Sequence, residues 1–234
     1  MVKPNGYRPL LTVENAKTTK GEALGYLTGI LYLAPATESG VMNTCTFASD
    51  ACRAACLFTA GRGAFESVRN ARIAKTVLLH EQRALFLASL RYDIEKLARD
   101  AEKQGLRPAV RINGTSDLPW IVLQMAAEFP EIQFYDYTKL PKAHTRVRAN
   151  YHLTFSHSGE NGAEVSQALQ NGLNVAVVFA VKKGAELPAE WNGYRVVDGD
   201  LHDLRFLDPQ GVVVGLRAKG DAKAQSSAFV VLAA

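Results

Sequence analysis

Hydrophobic positions along the chain switch between two periods, and the switches outline alternating strands and helices. Residues 23–34 form an aliphatic and tyrosine-rich run that Pro35 ends, as expected of a buried first strand. From about Phe65 to Lys103 apolar residues recur at three- and four-residue spacing, Val68, Ala71, Leu78, Leu85, Leu90, Ile94 and Leu97 among them. No proline interrupts this stretch, which predicts continuous helix stopped near Gly105. Short elements then alternate: strands at 109–112, 132–137, 151–155, 174–181, 194–197 and 211–216, with helices at 118–128 and 163–170. Alternation of this kind implies mainly parallel strands joined by crossovers. The expected fold class is α/β, a partial or open (β/α) barrel, with a doubly wound sheet as the alternative.

Composition narrows the setting. The chain has 234 residues, of which 47% are apolar and 21% charged, and this suits a single α/β domain over 1–234. The polar residues 1–20, with Pro4, Gly6 and Pro9, read as an N-terminal arm. No apolar run approaches the roughly 18 residues of a membrane span, and residues 1–6 lack the apolar core of a secretory signal. The expectation is a cytoplasmic protein without a membrane partner. The formal net charge of +4 favours solubility and identifies no partner by itself. Its distribution says more. Arg53, Arg62, Arg69, Arg72 and Lys75 crowd the cysteine segment, as either a solvated helix face or a contact surface for nucleotide or nucleic acid. Nothing in the pattern fixes an oligomeric state.

The candidate chemistry starts with cysteine. Cys45, Cys52 and Cys56 are the chain's three cysteines and fall within residues 39–63, which read as a long loop. An odd count in a cytoplasmic setting disfavours a structural disulfide, and clustering in C-x6-C-x3-C spacing favours a metal centre. Three thiolates leave a tetrahedral metal, or one iron of a four-iron cluster, without its last protein ligand. Zinc completed by a histidine (His80, His152 or His157) is the other option.

Polar groups at successive strand ends share the face expected to hold the chemistry. Asn113, Gly114, Ser116 and Asp117 follow the second strand; Gly114 would let backbone approach a ligand, and Asp117 would orient an amine or act as a base. Ser116 or Asp117 also suits the N-cap of the helix beginning at Pro119. Asp136 and Lys139 end the third strand, and Ser156 and His157 the fourth. Asp198 and Asp200 extend the set, and Lys182, Lys183, Arg217 and Lys219 are candidates for an anion site or plain surface charge.

Asn43-Thr44-Cys45, Asp50-Ala51-Cys52, Cys56-Leu57, Gly114-Thr115-Ser116-Asp117, Asp136-Tyr137-Thr138-Lys139 and the Gly215–Gly220 segment resemble a phage protein family known as gene product eighty-eight. That resemblance covers nearly the whole chain, implies a phage or prophage origin and brings no activity with it. The cysteine loop after the first strand also resembles, more distantly, the layout of radical S-adenosylmethionine enzymes. Gly114-Thr115-Ser116-Asp117 and Thr138-Lys139 are similar to elements of spore-photoproduct-lyase-like members. The spacing departs from that superfamily's C-x3-C-x2-C, and Ala55 stands where an aromatic residue precedes its last cysteine.

The second resemblance implies a [4Fe-4S] cluster on Cys45, Cys52 and Cys56, with S-adenosylmethionine as cofactor. Asn113, Gly114, Ser116, Asp117 and Ser156 would contact the cofactor. Asp117, Asp136, Lys139 and His157 would serve catalysis on a nucleotide or nucleic-acid base. Two other classes stay open: a zinc-supported enzyme exchanging guanine in phage DNA, and a non-enzymatic, metal-stabilised module that binds nucleic acid or a host protein.

Overall fold

Strands form in this chain where a short apolar run can be buried on both faces, and helices where one apolar stripe can lie on the resulting sheet. The computed structural model describes residues 2–13, 18–56, 58, 61–220, 222 and 228–232. The Arg62 side chain, residues 1 and 14–17 of the arm and residues 57, 59 and 60 of the cysteine segment lie outside them.

The first half of the chain gives β1 (Leu11–Thr12), α1 (Thr18–Glu22), β2 (Tyr26–Leu31), α2 (Asp50–Ala54), α3 (Glu66–Glu81), α4 (Arg83–Lys103) and β3 (Arg107–Arg111). The second half gives α5 (Pro119–Glu128), β4 (Gln133–Thr138), β5 (Tyr151–Ser156), α6 (Gly162–Gln170) and β6 (Asn174–Phe179). It ends with β7 (Glu190–Trp191), β8 (Tyr194–Asp198), β9 (Val213–Arg217) and β10 (Val230–Val231).

All ten strands join one sheet in the order β1-β2-β3-β4-β5-β6-β9-β8-β7, and β10 adds to β6. Strands β2 to β6, with β8, β9 and β10, pair in parallel, and the short β1 and β7 are antiparallel edges. Register is fixed by pairs such as Gly29 with Val110, Thr138 with Phe155 and Val177 with Gly215. Order follows sequence from β1 to β6, without the reversal that a doubly wound sheet needs. The ladder is open, since β1 and β7 end it without pairing to each other. At the β7–β8 hairpin Asn192 and Gly193 both take positive φ (50° and 78°), the conformation a two-residue turn of this twist requires.

Alternation along the strands separates two environments. Leu27, Leu31, Val110, Ile112, Phe134, Leu153, Phe155, Val175 and Val177 belong to the main apolar core, with Phe86, Leu90, Ile94 and Leu97 of α4 and Ile121, Val122 and Met125 of α5. The opposite face is more polar. Tyr26, Ala109 and Tyr135 pack there against Leu204, and Phe206 meets the rings of Tyr26 and Tyr135 edge-on at 5.0 and 5.5 Å. Arg111 pairs with Asp203 at 2.9 Å on that side, and Arg205 is fully buried.

Two expectations need correction. Residues 65–103 are two helices rather than one, because the backbone at Gln82 leaves helical geometry (φ −134°, ψ 55°). Helix α4 buries a long stripe from Phe86 to Ala101, whereas α3 buries Arg72, Thr76 and Leu79. The cysteine segment is also more than loop, since α2 and a 3-10 turn at Gly61–Ala64 form within it. No helix among the described residues is long and apolar enough to cross a membrane.

The N-terminal arm is tied down by one carboxylate. Buried Asp93 on α4 accepts the Tyr7 hydroxyl at 2.5 Å and the backbone N–H groups of Leu10 and Leu11 at 2.7 and 3.0 Å. Removing it strands these donors, so Asp93→Ala is expected to lower stability by about 2–3 kcal/mol in urea unfolding. A loss under about 0.5 kcal/mol, the size of an ordinary surface change, would show that the arm is not anchored this way.

Candidate functional site

The cysteine segment is held by hydrogen bonds to successive strand ends. After β2, the Thr44 hydroxyl donates to the Ala34 carbonyl at 2.6 Å, and Asn43 Oδ1 accepts from Cys45 N at 2.9 Å. The loop after β3 docks on this turn: Asp117 N donates to Thr44 O at 2.8 Å, and Cys45 Sγ lies 3.6 Å from the Thr115 carbonyl. The Asp117 carboxylate accepts the Thr138 hydroxyl at 2.9 Å and Lys139 N at 2.8 Å, which brings in the end of β4. Ser49 caps α2 by accepting from Cys52 N at 3.1 Å, and its hydroxyl donates to the Ser158 carbonyl beyond β5 at 2.7 Å.

These loops enclose a cavity of about 530 Å³ at the carboxyl ends of the strands. Cys45, Cys52 and Cys56 all line it and are all partly exposed. Asn113, Gly114, Ser116, Asp117, Lys139, Ser156 and His157 line it as well. Asp136 does not. It is fully buried beneath the loop, where its carboxylate accepts Asn113 N at 2.7 Å and Asn113 Nδ2 at 3.0 Å. Strand alternation explains the placement: Asp136 shares the face of Phe134, which is in the core, and Tyr137 takes the other face and lines the cavity.

Three other expectations change in detail. Neither Ser116 nor Asp117 caps α5, whose N-cap is Leu118; Asn113 Oδ1 gathers that turn by accepting from Leu118 N at 2.8 Å and the Ser116 hydroxyl at 2.9 Å. Gly114 is required by the protein itself. A Cβ there would stand 2.7 Å from the Leu31 carbonyl and 2.7 Å from the Tyr32 ring. The basic cluster is split, because Arg72 is buried over the Tyr32 and Phe58 rings and Lys75 Nζ donates to the Leu10 carbonyl. Arg53 and Arg69 are more exposed and sit 3.6 Å from Asp50 and Glu38 respectively.

The electrostatics of the cysteine end centre on Lys139. Burial alone would lower its pKa, but Cys52, Asp117 and Cys45 outweigh that and hold the ammonium above its usual range. It also hydrogen-bonds to Cys52. Burial pushes the Cys45 and Cys56 thiols up, and the neighbouring cysteines push Cys56 further. Burial likewise raises Asp117 and lowers His157. Among the described residues, no three His, Cys, Asp or Glu side chains already stand in metal-ligating geometry. Binding a metal at the three thiols would therefore require these side chains to rearrange. Of the three candidate histidines only His157 reaches the cavity; His80 is exposed on α3, and His152 lies on β5 with its pKa lowered to about 4 by burial.

The far side of the cavity holds residues that sequence reasoning passed over. Arg111, Tyr137, His202 and Asp203 line it, with the Arg111 guanidinium 4.5 Å from the Tyr137 ring centre. An arginine inside the otherwise apolar strand 109–112 was the available signal.

Burial raises the Asp136 pKa to about 7, so the fold favours its neutral form. The stability this confers is full below about pH 4, the ordinary aspartate value, and is lost as pH rises through about 7. The margin of wild type over Asp136→Asn should therefore shrink between about pH 4 and 7 in chemical unfolding. A margin that grows with pH would contradict this assignment. Gly114→Ala is expected to cost roughly 1–3 kcal/mol by overpacking against β2, and an unchanged melting temperature would contradict it.

No curated protein matches the chain, and no solved structure matches it. The family model described as gene product 88 matches residues 9–232. That span contains β1 through β10, the cysteine segment and every residue placed at the cavity, so the chain belongs to the gene product 88 family of phage proteins.

Proposed function

We propose that the protein is an iron–sulfur enzyme of radical S-adenosylmethionine-like type, acting on a nucleotide or nucleic-acid base. The observation that carries this reading is the convergence of Cys45, Cys52 and Cys56 on one cavity at the carboxyl ends of parallel strands. Open α/β sheets and barrels place their chemistry at that end. The open sheet, with residues 203–206 packed over its second face, supports reading the fold as a partial barrel.

The residues present suit a thiolate-bound metal. Cys45 and Cys56 are desolvated thiols that need a nearby positive charge to ionise, and Lys139 already supplies one beside Cys52. When bound, an iron–sulfur cluster with three protein ligands supplies an electron and one open coordination position. The protein's part is to hold and orient. Lys139 offsets thiolate charge, and the loop of Asn113, Ser116 and Asp117 offers polar groups beside Cys45 for the amino-acid end of the cofactor. Its own hydrogen bonds keep that loop rigid.

One observation favours zinc as a second reading. His157 lines the same cavity, and its Nδ1 is buried without a hydrogen-bond partner among the described residues. A cavity-lining histidine beside three cysteines supplies the fourth ligand type of a zinc site.

Anaerobically reconstituted protein is expected to bind S-adenosylmethionine and, with a strong reductant, to cleave it. Cys52→Ser should abolish cleavage, and Lys139→Gln should lower it about 10- to 100-fold while the metal is retained. Iron-loaded protein that neither binds nor cleaves the cofactor would remove the radical mechanism.

A further inference from the structure

We infer that the cavity rim formed by Lys20 and Lys219 anchors a phosphate monoester, which makes the substrate a free mononucleotide rather than a nucleic-acid polymer. The inference rests on the function proposed above and narrows its substrate. Lys20 on α1 and Lys219 beyond β9 line the cavity and meet at the same residue. Lys20 Nζ donates to the Asp200 carbonyl at 2.5 Å, and Lys219 Nζ to Asp200 Oδ1 at 2.5 Å. Arg217 reaches Asp200 Oδ2 at 3.1 Å and Asp198 Oδ2 at 2.9 Å. Three cations thus face two carboxylates, which leaves the rim with one net positive charge.

Both lysines are exposed, and an ammonium carries three N–H donors. The described contacts engage one donor of each. The remainder, at the mouth of a cavity, suit a compact anion with several oxygens. A phosphate monoester carries close to two negative charges near neutral pH and three terminal oxygens. It therefore matches a pair of ammonium groups better than a carboxylate does. Elsewhere the lining turns apolar, with Ala176, Val178, Leu216 and Phe229, and Tyr137 under Arg111 adds an aromatic surface. A base or nucleoside fits that chemistry, and a phosphate at the rim completes a mononucleotide.

The basic residues beside the cysteines make a poor track for a polymer. Binding a long phosphodiester requires a continuous track of accessible basic groups. Here Arg72 is buried and Lys75 Nζ is engaged by the Leu10 carbonyl, which leaves that track short.

The test is calorimetric binding of nucleoside monophosphates, their nucleosides, inorganic phosphate and a single-stranded oligonucleotide, at constant salt. At least one monophosphate should bind about tenfold or more tightly than its nucleoside. Lys20→Gln combined with Lys219→Gln should erase that preference while the nucleoside still binds. No monophosphate bound, a monophosphate no better than its nucleoside, or an oligonucleotide that outcompetes every monophosphate would each overturn the inference. Cofactor cleavage by the same preparations separates the two proposals. Phosphate preference without cleavage keeps the anchor and removes the radical mechanism, and cleavage without preference removes the anchor alone.

Discussion

One residue holds the cavity's architecture together. Asp117 donates its backbone N–H to the turn that presents Cys45, and its carboxylate accepts from both the side chain and the backbone of the β4 end. Three loops that share no sequence proximity are thereby fixed relative to each other. Each contact is individually modest, about 1 kcal/mol for a neutral pair and more for a charged acceptor. Their joint effect is geometric, because displacing the Asp117 loop breaks bonds to both of the others. Asp136 repeats the device one layer deeper by pinning Asn113, which in turn gathers Ser116 and Leu118.

The price of this arrangement is a polar interior on one face of the sheet. The Arg111–Asp203 pair and the fully buried Arg205, 3.3 Å from Asp208, all require desolvation. Replacing such pairs with apolar side chains is often neutral or stabilising in other proteins. Of these groups Arg111 and Asp203 line the cavity, whereas Arg205 and Asp208 lie outside its lining. Lys139 obeys the same logic at the cysteine end, where a buried ammonium is held charged by the thiols and the carboxylate around it.

Much of this was legible in the sequence, for reasons that can be named. Strands such as β2 and β6 are short apolar runs with clear stops, and both faces of each are buried. The cysteines' proximity in sequence survived folding because Ser49 and Asn43 bind backbone within the same segment. What sequence could not give were relations between distant residues. Arg111 and Asp203 lie 92 positions apart, and nothing local pairs them. Arg72 and Lys75 look like surface charge in composition, and only tertiary packing turns them inward. The break at Gln82 involves neither proline nor glycine, so apolar periodicity runs straight through it. Asp136 sits at a strand end, but period-two alternation with Phe134 puts it on the core face and off the cavity lining.

The central claim is that the three cysteines form a metal centre with an open position. Its most direct test is the iron, sulfide and zinc content of protein purified without oxygen, compared with single serine variants of Cys45, Cys52 and Cys56. The account expects about four irons and four sulfides per chain, lost in each variant. Protein that folds fully with neither iron nor sulfide would contradict it, and one zinc per chain in their place would transfer the site to the zinc reading.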